Sequence, residues 1–193
     1  MKLFDVLLGK TKVQEANLDD LFGLSTSGIT LEAELGLLSS KSAGVCVTPG
    51  AAISFDDAWK ELKELSKTDD LNSMKVVTDS FDYRWIVLED PDFESLVTRV
   101  HMVNTTLKEA GWGPQLLCSA FGLTPNDVGK ENFPAKCYLI YLYKRGTFYP
   151  FVPVGNEKRD NSSELRLSGT LKSDLKIEED LTRWFPIWDI PVA

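Results

Sequence analysis

The only histidine of the chain, His101, limits the catalytic sites that the sequence can build. A zinc site or a Ser-His-Asp triad requires further partners, and the HExxH pattern is absent. Cys118 as a nucleophile with His101 as its base would give a hydrolase, but their spacing carries no signal for that pairing. The GxGxxG, GxxxxGK[ST] and GxSxG motifs are absent too. A structural histidine and a buried thiol are therefore the favoured interpretation.

The cysteines Cys46, Cys118 and Cys137 are an odd number at wide spacing, without a CxxC pair. Free buried thiols in a reducing cytosol are the simple interpretation of this pattern. The acidic residues cluster at predicted helix starts, where the helix dipole explains them. We therefore expect no metal, no cofactor and no catalytic residues.

An unusual aromatic stretch runs from Tyr138 to Pro153 around the basic pair Lys144 and Arg145. Strand alternation places successive side chains on opposite faces, so one face would cover the core. The stretch is then either a sheet buried on both faces or a docking strip, since Tyr and Arg are frequent at binding hot spots. The predicted partner-binding residues are Tyr138, Tyr141, Tyr143, Lys144, Arg145, Phe148 and Tyr149.

The first residues of the chain carry Leu3, Phe4, Leu7 and Leu8 at helical spacing, with lysines alongside. So short a helix is marginal in water unless it docks on something. We expect residues 1–12 to form a separate docking helix. Peripheral membrane binding is the alternative use of this amphipathic segment.

The composition is that of a globular protein: 193 residues, 43% hydrophobic, with a net charge of −8. An acidic balance argues against nucleic acid, whose phosphates attract Lys and Arg clusters. No apolar run approaches the roughly 18 residues of a spanning helix. No secretory signal is recognisable at the start of the chain. We expect a cytoplasmic protein, with peripheral contact at the inner face of the cell membrane as the alternative.

The hydrophobic periodicity predicts an α+β fold, with an antiparallel β-sheet, or sheets, and flanking helices. The clearest helix begins near Asp90 and ends at Gly111, and Asn104 lies within its apolar stripe. We expect Asn104 to be buried and bonded to a strand-edge or loop backbone group, because buried polar groups are paired. Further predictions are a strand over residues 164–169 and a closing helix over residues 177–184. We expect one domain over residues 1–193, loosely similar to YbjN and type III secretion chaperone-like domains.

Several strings of the chain resemble one family, the PspA-associated protein PspAB, in the same order along the sequence. They include MKLFDVLLGKTK at the start, VNTTLKEAGWGPQLLCSAFG at the centre and YLYKRGTFYPFVPV after it, and RDNSSELRLSGTLKSDLKIEEDLTRWFPIWDIP closes the match. The resemblance implies a role beside PspA in a membrane-stress response, and it supplies no catalytic residues. We therefore expect a non-enzymatic accessory protein that binds a PspA-type protein or a related membrane-stress component.

Overall fold

The computed structural model describes residues 17–48 and 74–193, together with Asp57, Trp59, Lys60, Leu62 and Glu64. It confirms the α+β class: a six-stranded antiparallel sheet, a two-stranded ribbon and flanking helices. The helices are α1 (Gly23–Leu35), α2 (Phe93–Leu107) and α3 (Asn161–Leu171). The strands are β1 (Leu37–Val47), β2 (Lys75–Thr78), β3 (Arg84–Glu89), β4 (Leu116–Pro125), β5 (Cys137–Leu142), β6 (Thr147–Phe151), β7 (Pro153–Gly155) and β8 (Lys158–Arg159).

The large sheet has the strand order β2-β3-β1-β4-β5-β6. Every neighbouring pair is antiparallel, and β2–β3 and β5–β6 are hairpins. β6 lies at the sheet edge, which suits Pro150 because a proline cannot donate to a further strand. Both faces of the sheet carry apolar side chains, so both need a cover.

Helices cover one face of the sheet. Val45, Ile86 and Leu139 point toward this layer and pack in one cluster with the buried side chains of all three helices. α2 is capped by Asp92, whose carboxylate accepts from the Ser95 backbone N–H at 2.8 Å. The predicted start at Asp90 was wrong by two residues, because Asp90 instead accepts from the Asp92 backbone N–H.

Asn104 is fully buried where α2 meets the sheet. Its Nδ2 donates to the Val100 carbonyl at 2.9 Å and to Ser119 Oγ on β4 at 2.9 Å. Burial and hydrogen bonding are confirmed, but the expected partners were wrong. The backbone acceptor belongs to its own helix, and the strand contributes a hydroxyl group.

The opposite face of the sheet is covered by residues 184–192, here called the C-terminal strap. Its side chains Trp184, Ile190 and Val192 are buried against the sheet. Hydroxyl groups of the sheet fix its backbone: Tyr149 Oη donates to the Phe185 carbonyl at 2.9 Å, and Tyr138 Oη donates to the Val192 carbonyl at 3.1 Å. The strap is thus an irregular segment tied down by side chains.

Residues 164–169 lie in α3, so the predicted strand was wrong. Asp160 caps the helix by accepting from the backbone N–H groups of Ser162 and Ser163. Leu167 and Leu171 then fall one turn apart on the buried side. The cap and the four-residue spacing of the leucines are the sequence signals that favour this helix.

The predicted closing helix over residues 177–184 was wrong as well. The backbone N–H of Phe148 donates to the Lys176 carbonyl, and that of Glu178 donates to the Phe148 carbonyl. Ile177 therefore forms a parallel bridge with Phe148 on β6, and only Leu181–Arg183 forms a short 3-10 turn. Pairing with the open edge of the sheet takes the place of helical bonds.

The predicted docking helix over residues 1–12, with Leu3, Phe4, Leu7 and Leu8, lies outside the described residues and remains a prediction.

Glycine 122 on β4 makes room for the end of the C-terminal strap. A Cβ there would lie 2.2 Å from Ser40 Oγ and 2.3 Å from the Ala193 carbonyl oxygen. Gly122→Ala should lower the free energy of unfolding by about 1–3 kcal/mol, because the crowded atoms must move. Urea denaturation measures this change. Gly169→Ala is the control: nothing lies within 4 Å, so this helical site should gain up to about 1 kcal/mol. Equal effects at the two glycines would contradict this packing.

Candidate functional site

A row of four side chains crosses the sheet on the face that the strap covers. Trp85 on β3 pairs with Cys46 on β1, Cys46 pairs with Cys118 on β4, and Cys118 pairs with Leu142 on β5. Directly opposed residues of an antiparallel sheet point to the same face. The register therefore aligns an indole, two thiols and an isobutyl group side by side.

A cavity of about 630 Å³ opens above this row. The row forms its floor together with Tyr149, and Ile187 and Trp188 of the strap form the opposite wall. This volume lies within the range of about 300–1,000 Å³ that is typical of ligand pockets. The cavity exists because the strap bridges the sheet without filling the space beneath it.

A β-bulge lies beside the two thiols. Cys46 pairs with Cys118, but the next residue, Val47, pairs with Leu116, so Leu117 is an extra residue on β4. Leu117 lines the cavity. Bulges bend a strand locally and are frequent next to functional sites.

The basic end of the cavity rim is formed by the turn between β5 and β6. Lys144 and Arg145 are both exposed there. Arg145 forms an ion pair with Glu178, in which Nε and Nη2 bind the two carboxylate oxygens. Within the part of the chain that the structure describes, Lys144 forms no ion pair. Lys144 therefore offers an uncompensated positive charge at the rim.

The acidic end of the rim lies across the sheet and carries Asp79 and Asp189. Asp79 accepts from the Phe81 backbone N–H at 2.9 Å, the Tyr83 backbone N–H at 3.0 Å and Trp85 Nε1 at 2.9 Å. Its carboxylate therefore holds the β2–β3 turn and orients the indole of the floor. Asp189 of the strap accepts from Ser80 Oγ.

Glu178 connects the basic turn to the strap. Its buried carboxylate accepts from Arg145, from Thr147 Oγ1 at 2.9 Å and from the Asp180 backbone N–H at 3.2 Å. Burial by itself disfavours the charged carboxylate, but these donors outweigh it and hold the pKa of Glu178 below its usual range. The Glu178 carbonyl also accepts from Trp184 Nε1 at 3.0 Å.

The predicted docking strip is not a surface in this fold. Its aromatic side chains are all at most 9% exposed: Tyr138, Tyr141, Tyr143, Phe148 and Tyr149. Both faces of β5 and β6 are covered, which matches the alternative interpretation of a sheet buried on both faces. Only Lys144 and Arg145 of the predicted set are exposed. A contact of these residues with a partner stays a prediction.

The two members of the predicted hydrolase pair lie on opposite faces of the sheet. His101 is on α2, where its Nε2 lies 3.3 Å from Asp19 Oδ1 and its ring stacks on Phe22 at a centroid distance of 4.8 Å. Cys118 lies in the cluster under the strap, beside Cys46. The sheet separates the imidazole from the thiol, so this dyad does not form.

The chain is related to a known protein family. The family described as PspAB, PspA associated protein B, matches residues 1–192. The chain belongs to the PspAB family. This membership associates it with a PspA system. A search of the curated proteins and a search of the solved structures gave no match.

The structure of this PspAB-family chain offers no metal-binding cluster within residues 17–48 and 74–193. No group of three or more His, Cys, Asp or Glu side chains there is placed to hold a metal ion. Cys137, the third cysteine, lies under the helices and apart from the other two. Among the same residues, no helix is long and apolar enough to cross a membrane.

Most of the residues that line the cavity carry no sequence signal that marks them as neighbours. Cys46 and Trp85 meet only through the strand register, which the sequence does not reveal. Phe81 and Phe185 are 64% and 55% exposed at the rim, although large aromatic residues are usually buried. The one available signal was the group of aromatic and proline residues from Phe185 onward, which predicts a packed tail and indicates no cavity.

The Glu178 hydrogen bonds give the PspAB-family chain a stability that depends on pH. A depressed folded-state pKa stabilises the fold above the unfolded pKa of about 4.3, and this stabilisation is lost as pH falls through the folded value. Glu178→Gln should cost about 1–3 kcal/mol at pH 7, since three donors lose a charged acceptor. The difference from the wild type should shrink between about pH 5 and pH 3.

Denaturation with urea at several pH values measures both effects. Asp127→Asn is the control, because it removes a carboxylate that pairs with Lys130 on the exposed surface. This change should leave the free energy of unfolding unaltered at pH 7. A Glu178→Gln difference that stays constant from pH 7 to pH 3 would exclude the ionised role of Glu178.

Proposed function

We propose that this PspAB-family chain is a non-enzymatic accessory protein of a PspA-type membrane-stress response. In this proposal it lies in the cytoplasm and acts by binding a PspA-type protein. Family membership supports the association with a PspA system. The observation that carries the binding role is the preformed apolar cavity, whose rim combines exposed aromatic rings with an uncompensated lysine.

The rim has the composition of a protein-binding surface. Phe81 and Phe185 stand at the cavity and expose more than half of their surface. Single exposed apolar residues are ordinary, but aromatic residues grouped around a concavity mark interaction sites. Lys144 adds a positive charge to the rim, which Arg183, paired with Asp180 at 3.0 Å, also lines. The partner contact that fits is an apolar side chain flanked by carboxylates.

The energetics favour insertion of a partner side chain into the cavity. Complete burial of one large apolar side chain stabilises a complex by about 1.5–3 kcal/mol. The floor is already built by strand pairing, and the strap is already fixed by the Tyr138 and Tyr149 hydroxyl groups. A preformed site requires little ordering on association, so more of the contact energy appears as affinity.

A substitution at the rim tests binding only if it leaves the hydrogen bonds of the fold intact. Arg145 is bonded to the buried carboxylate of Glu178, so Arg145→Glu would also place two carboxylates together inside the fold. Lys144 lies next to it in the sequence, without an ion pair among the described residues. Lys144→Glu therefore changes the rim charge and leaves the Glu178 bonds intact.

Phe185→Ser and Lys144→Glu should each weaken binding of a purified PspA-type protein. We expect a loss of about 5–30-fold in affinity for each, corresponding to about 1–2 kcal/mol. Isothermal titration calorimetry with the full chain measures the affinity. The Lys144 effect should decline at high salt, because salt screens exposed charges.

Leu165→Ser is the matched control, because Leu165 on α3 is 57% exposed, against 55% for Phe185. α3 packs on the helical side of the sheet, away from the cavity. Leu165→Ser should leave the affinity unchanged within about twofold. No binding by the wild-type chain would reject the proposed partner. Binding that is equal in all variants would reject the cavity rim as the contact.

A further inference from the structure

The two cysteines of the cavity floor meet the geometric requirement of an intrachain disulfide. Cys46 and Cys118 are directly opposed on antiparallel strands. Such residues have Cα atoms about 4.5–5.5 Å apart, and disulfides join Cα atoms about 4.4–6.8 Å apart. Their side chains point to the same face of the sheet, and both cysteines are free. Formation of the disulfide therefore requires no change in the strand pairing.

The cavity gives these buried thiols a route to small solutes. Cys46 is 3% exposed and Cys118 is 6% exposed, yet both line the 630 Å³ cavity that opens at the rim. The Leu117 bulge lies next to the pair and bends β4 locally. The cavity is large enough to admit a molecule of the size of hydrogen peroxide.

The third cysteine differs in each of these respects. Cys137 is fully buried in the helical layer, and its thiol donates to the Pro134 carbonyl at 3.7 Å. Cys137 pairs with Leu123 across the sheet, with no cysteine opposite. Cys137 is therefore an internal control for the oxidation of Cys46 and Cys118.

We propose that Cys46 and Cys118 form a modification site at which hydrogen peroxide converts the thiol pair into an intrachain disulfide. One thiol sulfur attacks an oxygen of hydrogen peroxide and the O–O bond breaks. This sulfur becomes a sulfenic acid, and the other peroxide oxygen departs as water. The second sulfur displaces the hydroxyl group as water and forms the S–S bond. The two sulfurs lose two electrons, the peroxide gains them, and both thiol protons end in water. This inference rests on strand register and the cavity and is independent of the proposed function.

The reaction should be slow and selective. Contact with Cys118 and burial raise the pKa of Cys46, so this thiol is protonated at neutral pH. A scarce thiolate lowers the rate of attack on the peroxide. Once one sulfur is oxidised, however, its only cysteine neighbour across the strands is the other member of the pair. Closure of the disulfide then competes well with further oxidation.

The test uses the folded full chain and hydrogen peroxide. After treatment, the peroxide is removed, the protein is unfolded, and free thiols are alkylated and counted by intact mass. Untreated protein should carry three alkyl groups, one for each cysteine. Treated protein should carry one, with peptide mapping placing the bridge between Cys46 and Cys118. Dithiothreitol should restore all three sites.

Three variants complete the test. Cys137→Ser should retain the disulfide, whereas Cys46→Ser and Cys118→Ser should each abolish it. Peptide mapping of the wild-type chain decides the question even if a variant does not fold. Retention of all three free thiols, a bridge that includes Cys137, a bridge between two chains, or stable oxidation of a single cysteine would each overturn the proposal.

Discussion

The fold depends on the need to cover both apolar faces of one six-stranded sheet. The helices that the structure describes all pack on one face. The other face carries indole, phenol and thiol side chains and is covered by the C-terminal strap. An irregular segment has no internal ladder of hydrogen bonds, so side chains must hold it in place. The hydroxyl groups of Tyr138 and Tyr149 do so, while Gly122 leaves room for the neighbouring backbone. The strap covers the face incompletely, and the cavity is the space that it leaves.

The cavity and the strap are electrostatically linked through Glu178. Its carboxylate binds Arg145 of the rim, and its carbonyl receives the Trp184 indole N–H of the strap. Glu178 therefore contacts both the basic turn and the cover of the cavity. Glu164 has a comparable place at the other end of β6. It accepts from Arg159 and from the Val152 backbone N–H, while burial raises its pKa.

The sequence predicted the elements with strong periodic or capping signals and failed where tertiary contacts decide. The α+β class and the buried position of Asn104 followed from alternation and helical spacing. Residues 177–184 carried a helical composition, but the Glu178 backbone N–H pairs with the Phe148 carbonyl at the edge of β6. The aromatic residues from Tyr138 onward were recognised as unusual. Their number reflects a sheet that is buried on both faces. No local sequence pattern distinguishes such a sheet from a docking strip.

The candidate site was largely unpredictable for a related reason. Its floor combines residues from β3, β1, β4 and β5, and only the register brings them together. Cys46 and Cys118 are 72 positions apart in the sequence, and no motif spacing marks them as neighbours. The only histidine attracted a catalytic hypothesis, but it lies on the helical side with Asp19 and Phe22.

The central claim is that the rim of this cavity is the binding surface for a PspA-type protein. Hydrogen–deuterium exchange of the full chain, with and without that protein, tests the claim most directly. The account predicts slower exchange at the β2–β3 turn, at residues 144–146 and at the start of the C-terminal strap, with α3 unchanged. Slower exchange on α3 alone, or unaltered exchange at the rim in a formed complex, would contradict it.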